Sequence, residues 1–350
     1  MDVLSNQWFM FAIMKSVWST CLLTVIFALI FSACNDRKNP VTNNNPVFLQ
    51  PGLKELTQKI EDSPDDPGLY FERGRMLDHM NEDSLALSDY QKAISLDSSK
   101  AEYFSAIGDM LFEHKDISGS LKWIEKALKL NPKDPAAHLK MAKLFIYTKD
   151  YKSAFSEINT VLRQDVYNAE GYFLKGMAYK DMKDTANAKS SFETAVQVAP
   201  DYRDAIIQLG LLYSAKKDSL ALKYFDNAYR LDTTDLFPVY ARGVYYQESN
   251  QYELAKNEYK KVILRDNQYT DAYYNMGYVL MQQDSNQKAW RQYDLLTKID
   301  PTDPEAYYNR GLCSELMGKK EDALTDYRQA LTFYKDYPEA AAGVKRLQGK

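Results

Sequence analysis

An all-α solenoid of about eight stacked helix-turn-helix units is the fold class that this 350-residue chain predicts, and three columns of residues predict it. Glycines stand at Gly74, Gly108, Gly176, Gly210, Gly243, Gly277 and Gly311, with Ala142 in the one gap, at intervals of 34, 34, 34, 34, 33, 34 and 34 residues. Twelve residues after these anchors come Ala86, Ser120, Ala154, Ala188, Ala255, Ala289 and Ala323, with Ala221 one place early. Sixteen residues after them come Tyr90, Ile124, Ile158, Phe192, Tyr259, Tyr293 and Tyr327, with Phe225 again one place early.

Each column has a physical reason. Two antiparallel helices approach closely only where the facing side chains are small, so glycine or alanine recurs where the first helix of a unit crosses the second. Larger side chains then fill the wedge between one pair and the next. Tyr70, Tyr172, Tyr273 and Tyr307, four residues before their anchors, belong to that wedge, so much of the chain's 27 tyrosines is core. Counting seven residues back from each anchor starts the units at Pro67, Ala101, Pro135, Ala169, Arg203, Leu236, Thr270 and Pro304. Asp83-Ser84, Asp184-Thr185, Asp218-Ser219 and Asp284-Ser285 are expected to cap the second helices. Asn131-Pro132, Ala199-Pro200 and Asp300-Pro301 stop second helices before the next unit.

The pattern resembles the tetratricopeptide repeat, a 34-residue helix-turn-helix, most clearly from Asp271 to Ile299 and from Glu305 to Leu331. That resemblance implies a right-handed superhelix whose inner surface is lined by the first helices at repeat positions 2, 5, 9 and 12. The sequence departs from the family pattern at Ala142 and in the fifth repeat, which is one residue short in its turn. The array is expected over 67–337, with short capping helices at 53–66, where Leu53, Leu56 and Ile60 have helical spacing, and at 338–350.

The N-terminal segment reads as an address. Residues 16 to 33 carry no charge, follow Lys15 and end in Ser32-Ala33 immediately before Cys34. This is the order of a secretory signal: charge, apolar stretch, small-residue cleavage site. The small pair before a cysteine resembles a bacterial lipobox, which implies a signal peptide over 1–33 and a diacylated Cys34 as mature N-terminus. An uncleaved transmembrane anchor is the alternative, since 18 apolar residues just cross ~30 Å of hydrocarbon. Met14 also makes a plausible start, beside Met1. Residues 34–52 are rich in Asn and Pro, without helical period, and read as a flexible tether. Asn35 follows the cysteine, which by resemblance to lipoproteins implies transport to the outer membrane, facing the periplasm.

Composition narrows the function classes. With 44 Lys+Arg against 48 Asp+Glu the formal charge is −4, which lacks the basic excess of a nucleic-acid binder. A hydrophobic share of 45% and a charged share of 26% suit a globular chain. Of three cysteines, Cys21 leaves with the signal and Cys34 is acylated, so Cys313 has no intrachain partner. His79, His114 and His138 have no pair at metal-site spacing, and no phosphate loop or nucleophile elbow occurs. No catalytic residue, metal or cofactor is therefore expected, and the chain is read as a non-enzyme.

The inner surface implied by the resemblance is unusually apolar. Its candidate partner-binding residues are Phe71, Phe112, Phe173, Met177, Tyr240, Val244, Tyr274, Tyr278, Met281 and Tyr308. The polar-tipped aromatics Tyr240, Tyr274, Tyr278 and Tyr308 suit binding and packing equally. No repeat has Lys at position 5 or Asn at position 9, so the charged-tail clamp of some family members is not expected. Two function classes follow. The first is a lipid-anchored envelope scaffold that binds a protein segment in the groove, self-association remaining open. The second is a carrier of a small hydrophobic ligand in the same groove.

Overall fold

A computed structural model describes residues 45–349, so the expected signal peptide, Cys34 and most of the tether lie outside the described residues. Two compact units divide between Pro132 and Lys133. The first opens on a 3-10 turn, Pro46–Leu49, followed by α1 (Pro51–Asp62), α2 (Pro67–His79), α3 (Asp83–Leu96), α4 (Ala101–Glu113) and α5 (Ile117–Leu130). The second runs through α6 (Pro135–Tyr147), α7 (Tyr151–Gln164), α8 (Ala169–Asp181), α9 (Thr185–Val198), α10 (Arg203–Ser214) and α11 (Leu220–Leu231). It continues with α12 (Phe237–Glu248), α13 (Tyr252–Arg265), α14 (Thr270–Gln282), α15 (Asn286–Ile299), α16 (Pro304–Leu316), α17 (Lys320–Phe333) and α18 (Pro338–Gln348). The architecture is all-α, and no strand occurs among the described residues.

Every helical hairpin turns through a left-handed residue. Asn81, Lys115, Lys149, Lys183, Lys217, Asn250 and Asp284 have φ between 54° and 65°, and Gly318 holds the same place in the last hairpin at 75°. The following position is where a cap belongs. Asp116, Asp150 and Asp184 stand there, and each accepts the backbone N–H three residues on. Two of the expected caps therefore fail by one residue: Asp83 falls inside α3 and Asp284 is itself the left-handed residue, and neither it nor Ser285 makes a side-chain cap bond. Asp218 accepts the Leu220 N–H at 2.9 Å, and the residue missing from the fifth repeat shortens α11 to 12 residues. First helices are capped by Asn168, Asp66, Asp134 and Asp303, the last three followed directly by a helix-initiating proline.

The small column packs as its chemistry demands. Ala86, Ala154, Ala188, Ala221, Ala255, Ala289 and Ala323 are fully buried, and Ser120, the exception, donates its hydroxyl to the Gly108 carbonyl at 2.7 Å. The anchor glycines face the bulky column directly. A Cβ on Gly243 would lie 2.5 Å from Cε1 of Tyr259, and one on Gly176 would lie 2.5 Å from Cε1 of Phe192. The anchor is therefore glycine because a bulky side chain, a six-membered ring everywhere except Ile124 opposite Gly108, occupies the space of its missing side chain.

Three ion pairs, the first fully buried and the other two half-buried, cross-link these hairpins. Arg73, Arg242 and Arg310 each stand one residue before an anchor, and each grips a carboxylate sixteen residues later: Asp89, Glu258 and Asp326. Arg242 and Arg310 also reach back sixteen residues to Asp226 and Asp294 on the preceding second helix. Arg73 donates in the same direction to the Thr57 hydroxyl at 3.2 Å. Burial pushes the Asp89 and Asp326 carboxyls up, and the guanidinium bonds oppose that shift.

Candidate functional site

Of the ten candidate groove residues on the first helices, nine are half-buried and Tyr278 is exposed, and each unit carries its own set. In the first unit Phe71 is half-buried, with its ring 5.7 Å from Tyr90 and 4.7 Å from Tyr103. Phe112 is also half-buried. The remaining eight belong to the second unit.

At repeat position 5, the second unit repeats one aromatic arrangement. The Phe173 ring lies 5.8 Å from Phe192 and 5.4 Å from Tyr202. Tyr240 stands likewise between Tyr259 at 5.9 Å and Tyr269 at 5.4 Å, and Tyr308 between Tyr327 at 5.7 Å and Tyr337 at 5.1 Å. Tyr274 meets Tyr293 at 6.0 Å. Tilted pairs at these separations suit the ring quadrupoles and fix each ring's orientation. The inner partners sit nineteen residues after position 5 and were legible as core. The outer walls Tyr202, Tyr269 and Tyr337, twenty-nine residues after, were missed, although that spacing recurs in the sequence.

Hydroxyl groups at this position are tied as well. Asn275 donates to the Tyr240 oxygen at 2.8 Å, and Tyr274 donates to the Asp303 carboxylate. Burial raises the Tyr274 phenol, with the Asp303 bond adding to the shift; burial and then Asp271 raise Tyr240. Position 5 thus supplies rigid, half-buried rings that hold one another in place. The Tyr269 and Tyr202 phenols are each pushed up to about 12 by burial, with nearby carboxylates adding.

One helical turn further on, position 9 is freer. Tyr278 follows Tyr274 by four residues, which places both on one face of α14, and it is 46% exposed. Met177, Val244 and Met281 are half-buried beside this row. Position 2 adds negative charge: Asp204, Asp271 and Glu305 are all exposed. The Lys180 ammonium on the same side is pushed down by burial and donates to the neutral Gln208 amide at 2.6 Å. The face can therefore offer apolar ring edges flanked by carboxylates, which suits an apolar side chain with a cationic neighbour.

Nucleophilic and metal chemistry find little footing on this surface. Cys313 lies wholly buried two residues after Gly311, and burial pushes its thiol up to about 12. No group of three metal-ligating side chains converges among the described residues.

Comparison with known proteins bears on the repeats. Tetratricopeptide repeat profiles match residues 169–202, 240–304 and 304–337. Those three segments are therefore similar to tetratricopeptide repeats, whose fold is typically a non-catalytic scaffold for protein interaction. A DnaJ protein P58IPK homolog from Arabidopsis thaliana is 24% identical over 296 residues, which is 79% of this chain and 57% of that protein. Human protein O-mannosyl-transferase TMTC3 is 30% identical over 161 residues, 45% of this chain and 18% of that one. The chain thus spans less than two thirds of either relative. Among solved structures, the C-terminal part of a tetratricopeptide repeat-containing protein from Cytophaga hutchinsonii superposes with a TM-score of 0.54 at 18% identity, covering 68% of this chain and 98% of that one. The type IV pilus biogenesis factor PilW gives 0.52 at 17% identity over 59% of this chain and 97% of that one. At such identities these likenesses show a shared fold.

Proposed function

We propose that this tetratricopeptide repeat chain is a lipid-anchored scaffold of the bacterial cell envelope, which holds a segment of a partner protein against the first-helix face of its second unit. The observation that carries the reading is Tyr278, half exposed on the same face as Tyr274 and set in a row whose other rings are fixed by packing. Rings held by their neighbours lose little freedom when a partner docks, so their contact area converts into affinity efficiently. Carboxylates at Asp271 and Glu305 favour a partner segment with a basic residue beside its apolar anchor. Acylation of Cys34 would hold the module at the membrane and raise its effective concentration beside other envelope proteins.

In-cell crosslinking followed by affinity purification, comparing wild type with Tyr278→Asp, tests the groove. Tyr278 is exposed enough for the change to spare the fold. Specific loss of one partner supports the reading, and an unchanged partner list overturns it. Incorporation of labelled palmitate that vanishes in Cys34→Ser supports the anchor, and equal incorporation in both overturns it.

A further inference from the structure

The column four residues before each anchor reads Tyr70, Phe104, His138, Tyr172, Ile206, Val239, Tyr273 and Tyr307, and valine is its smallest member. At both ends of the array the tyrosine of this column covers an arginine three residues on. The Arg310 guanidinium lies 5.2 Å from the Tyr307 ring, whose other neighbour is Phe333 at 5.7 Å, and Arg73 lies 5.8 Å from Tyr70. Each of those arginines has a second ring beside it, Trp290 at 5.8 Å for Arg310 and Phe48 at 5.0 Å for Arg73; Arg242, in the matching place in α12, has Tyr229 at 5.9 Å, and Val239 brings no second ring. A cleft of about 390 Å³ opens there between α11, α12 and α13, walled by Tyr229, Leu236, Val239, Arg242, Lys261, Leu264 and Arg265.

Charge in the cleft is unbalanced. Asp226 and Glu258 hold Arg242, and Lys261 reaches the same Glu258 at 2.6 Å. Arg265 donates to the Tyr229 hydroxyl and has no carboxylate at ion-pair distance among the described residues. Three cations thus share two carboxylates. Leu264, at the mouth, is 75% exposed, a large apolar side chain left in water beside an unfilled hollow.

We infer that this cleft binds an aromatic side chain of a partner polypeptide with a carboxylate on the adjacent residue. The ring takes the place that Tyr307 and Tyr70 fill from within the chain, against the Arg242 guanidinium and Val239. The carboxylate pairs with Arg265, and Leu264 closes over the ring. This site shares α12 with the tyrosine row but uses different side chains of it, takes its other walls from the second helices α11 and α13, and carries the opposite charge, so either can fail without the other.

The test is methyl NMR on the full chain, labelled at Leu and Val, titrated with N-acetyl-tyrosyl-glutamyl amide and with its glutaminyl counterpart. The expected result is saturable shifts at Leu236, Val239 and Leu264, with the glutamyl probe binding at least threefold more tightly. Arg265→Gln should remove that preference. Val239→Tyr, which copies Tyr307 and fills the cleft from inside, should abolish the shifts at Leu236 and Leu264. Should that variant fail to fold, the Arg265→Gln comparison carries the decision. Absence of saturable shifts in the wild type, equal affinity for the two probes, or shifts that survive in a folded Val239→Tyr protein would each overturn the proposal. So would cleft shifts that grow with protein concentration and no probe, since those assign the cleft to a second copy.

Discussion

Arg73 and Asp89 form a two-pronged ion pair sealed inside the first hairpin, with Nε to Oδ2 at 2.7 Å and Nη2 to Oδ1 at 2.8 Å and with side chains 2% and 8% exposed. Removing one partner leaves the other's charge buried and uncompensated. Arg73→Met or Asp89→Leu alone is expected to destabilise the first unit by about 3–5 kcal/mol, whereas the double variant recovers most of that loss. Urea unfolding followed by a probe in α2 or α3 measures all three, and a double variant as unstable as the worse single one would refute this account.

Gly243 is predicted to tolerate no side chain. Its added Cβ would stand 2.5 Å from Tyr259, whose ring is fully buried and whose hydroxyl donates to Gln247 at 2.9 Å. Gly243→Ala should cost about 1–3 kcal/mol through overpacking. Combining it with Tyr259→Leu should cost less than the sum of the two changes, because the smaller side chain yields the contested space. A double-mutant cycle by chemical denaturation reads the difference.

The hairpin turns offer stability the protein does not use. Lys115, Lys149, Lys183 and Lys217 adopt φ of 62°, 61°, 65° and 55°, where a Cβ is strained by about 1–2 kcal/mol, partly offset by the greater chain entropy that glycine loses. Lys→Gly at each is expected to stabilise by about 0.5–1 kcal/mol, and Gly318→Ala to destabilise by a similar amount. Thermal unfolding of the four single variants checks the sign.

Acid should loosen the links between repeats. Asp97, Asp232 and Asp300 each accept from the hydroxyl and backbone N–H two residues on, at Ser99, Thr234 and Thr302, and these bonds hold their carboxyls below the ordinary 3.8. A carboxyl lowered in the folded state contributes stability above its unfolded pKa and loses it as pH falls through the folded value. Stability from these three caps is therefore expected to be complete above about pH 5 and to decline below 4. The triple Asp→Asn variant keeps an acceptor that does not titrate, so its stability should fall less steeply between pH 4 and about 2.

Cys313 provides an internal reporter. Fully buried and with its thiol pushed up to about 12, it should resist alkylation at pH 8 in the folded protein and react once α16 opens. Peptide-resolved mass spectrometry after a pulse of iodoacetamide distinguishes it from the other cysteines, and rapid labelling without denaturant would contradict the packing described.

Repeat number, hairpin order and the small and bulky columns were legible in the sequence because each depends on local spacing that recurs every 34 residues. The candidate site was only half legible. Helical periodicity placed Tyr240, Tyr274, Tyr278 and Tyr308 on one row, but it carries no information on what stands opposite a ring. Three of them proved clasped by neighbouring rings and one half exposed, which depends on Tyr259, Tyr293 and Tyr327 and on Tyr269 and Tyr337 reaching across from other helices. The caps missed at Asp83 and Asp284 show the same limit at short range, since one left-handed residue decides which neighbour faces the helix end.

Recurrence of a small residue every 34 positions already specifies a chain of stacked helical hairpins, for it permits close helix crossing and little else. Only the packing of helices decides which arginines pair with carboxylates sixteen residues away, which aromatic stays available, and that Arg242 has one ring beside it where Arg73 and Arg310 have two. Those outcomes rest on three-dimensional complementarity between helices, where one side chain's size fixes the space its neighbours must fill or leave open.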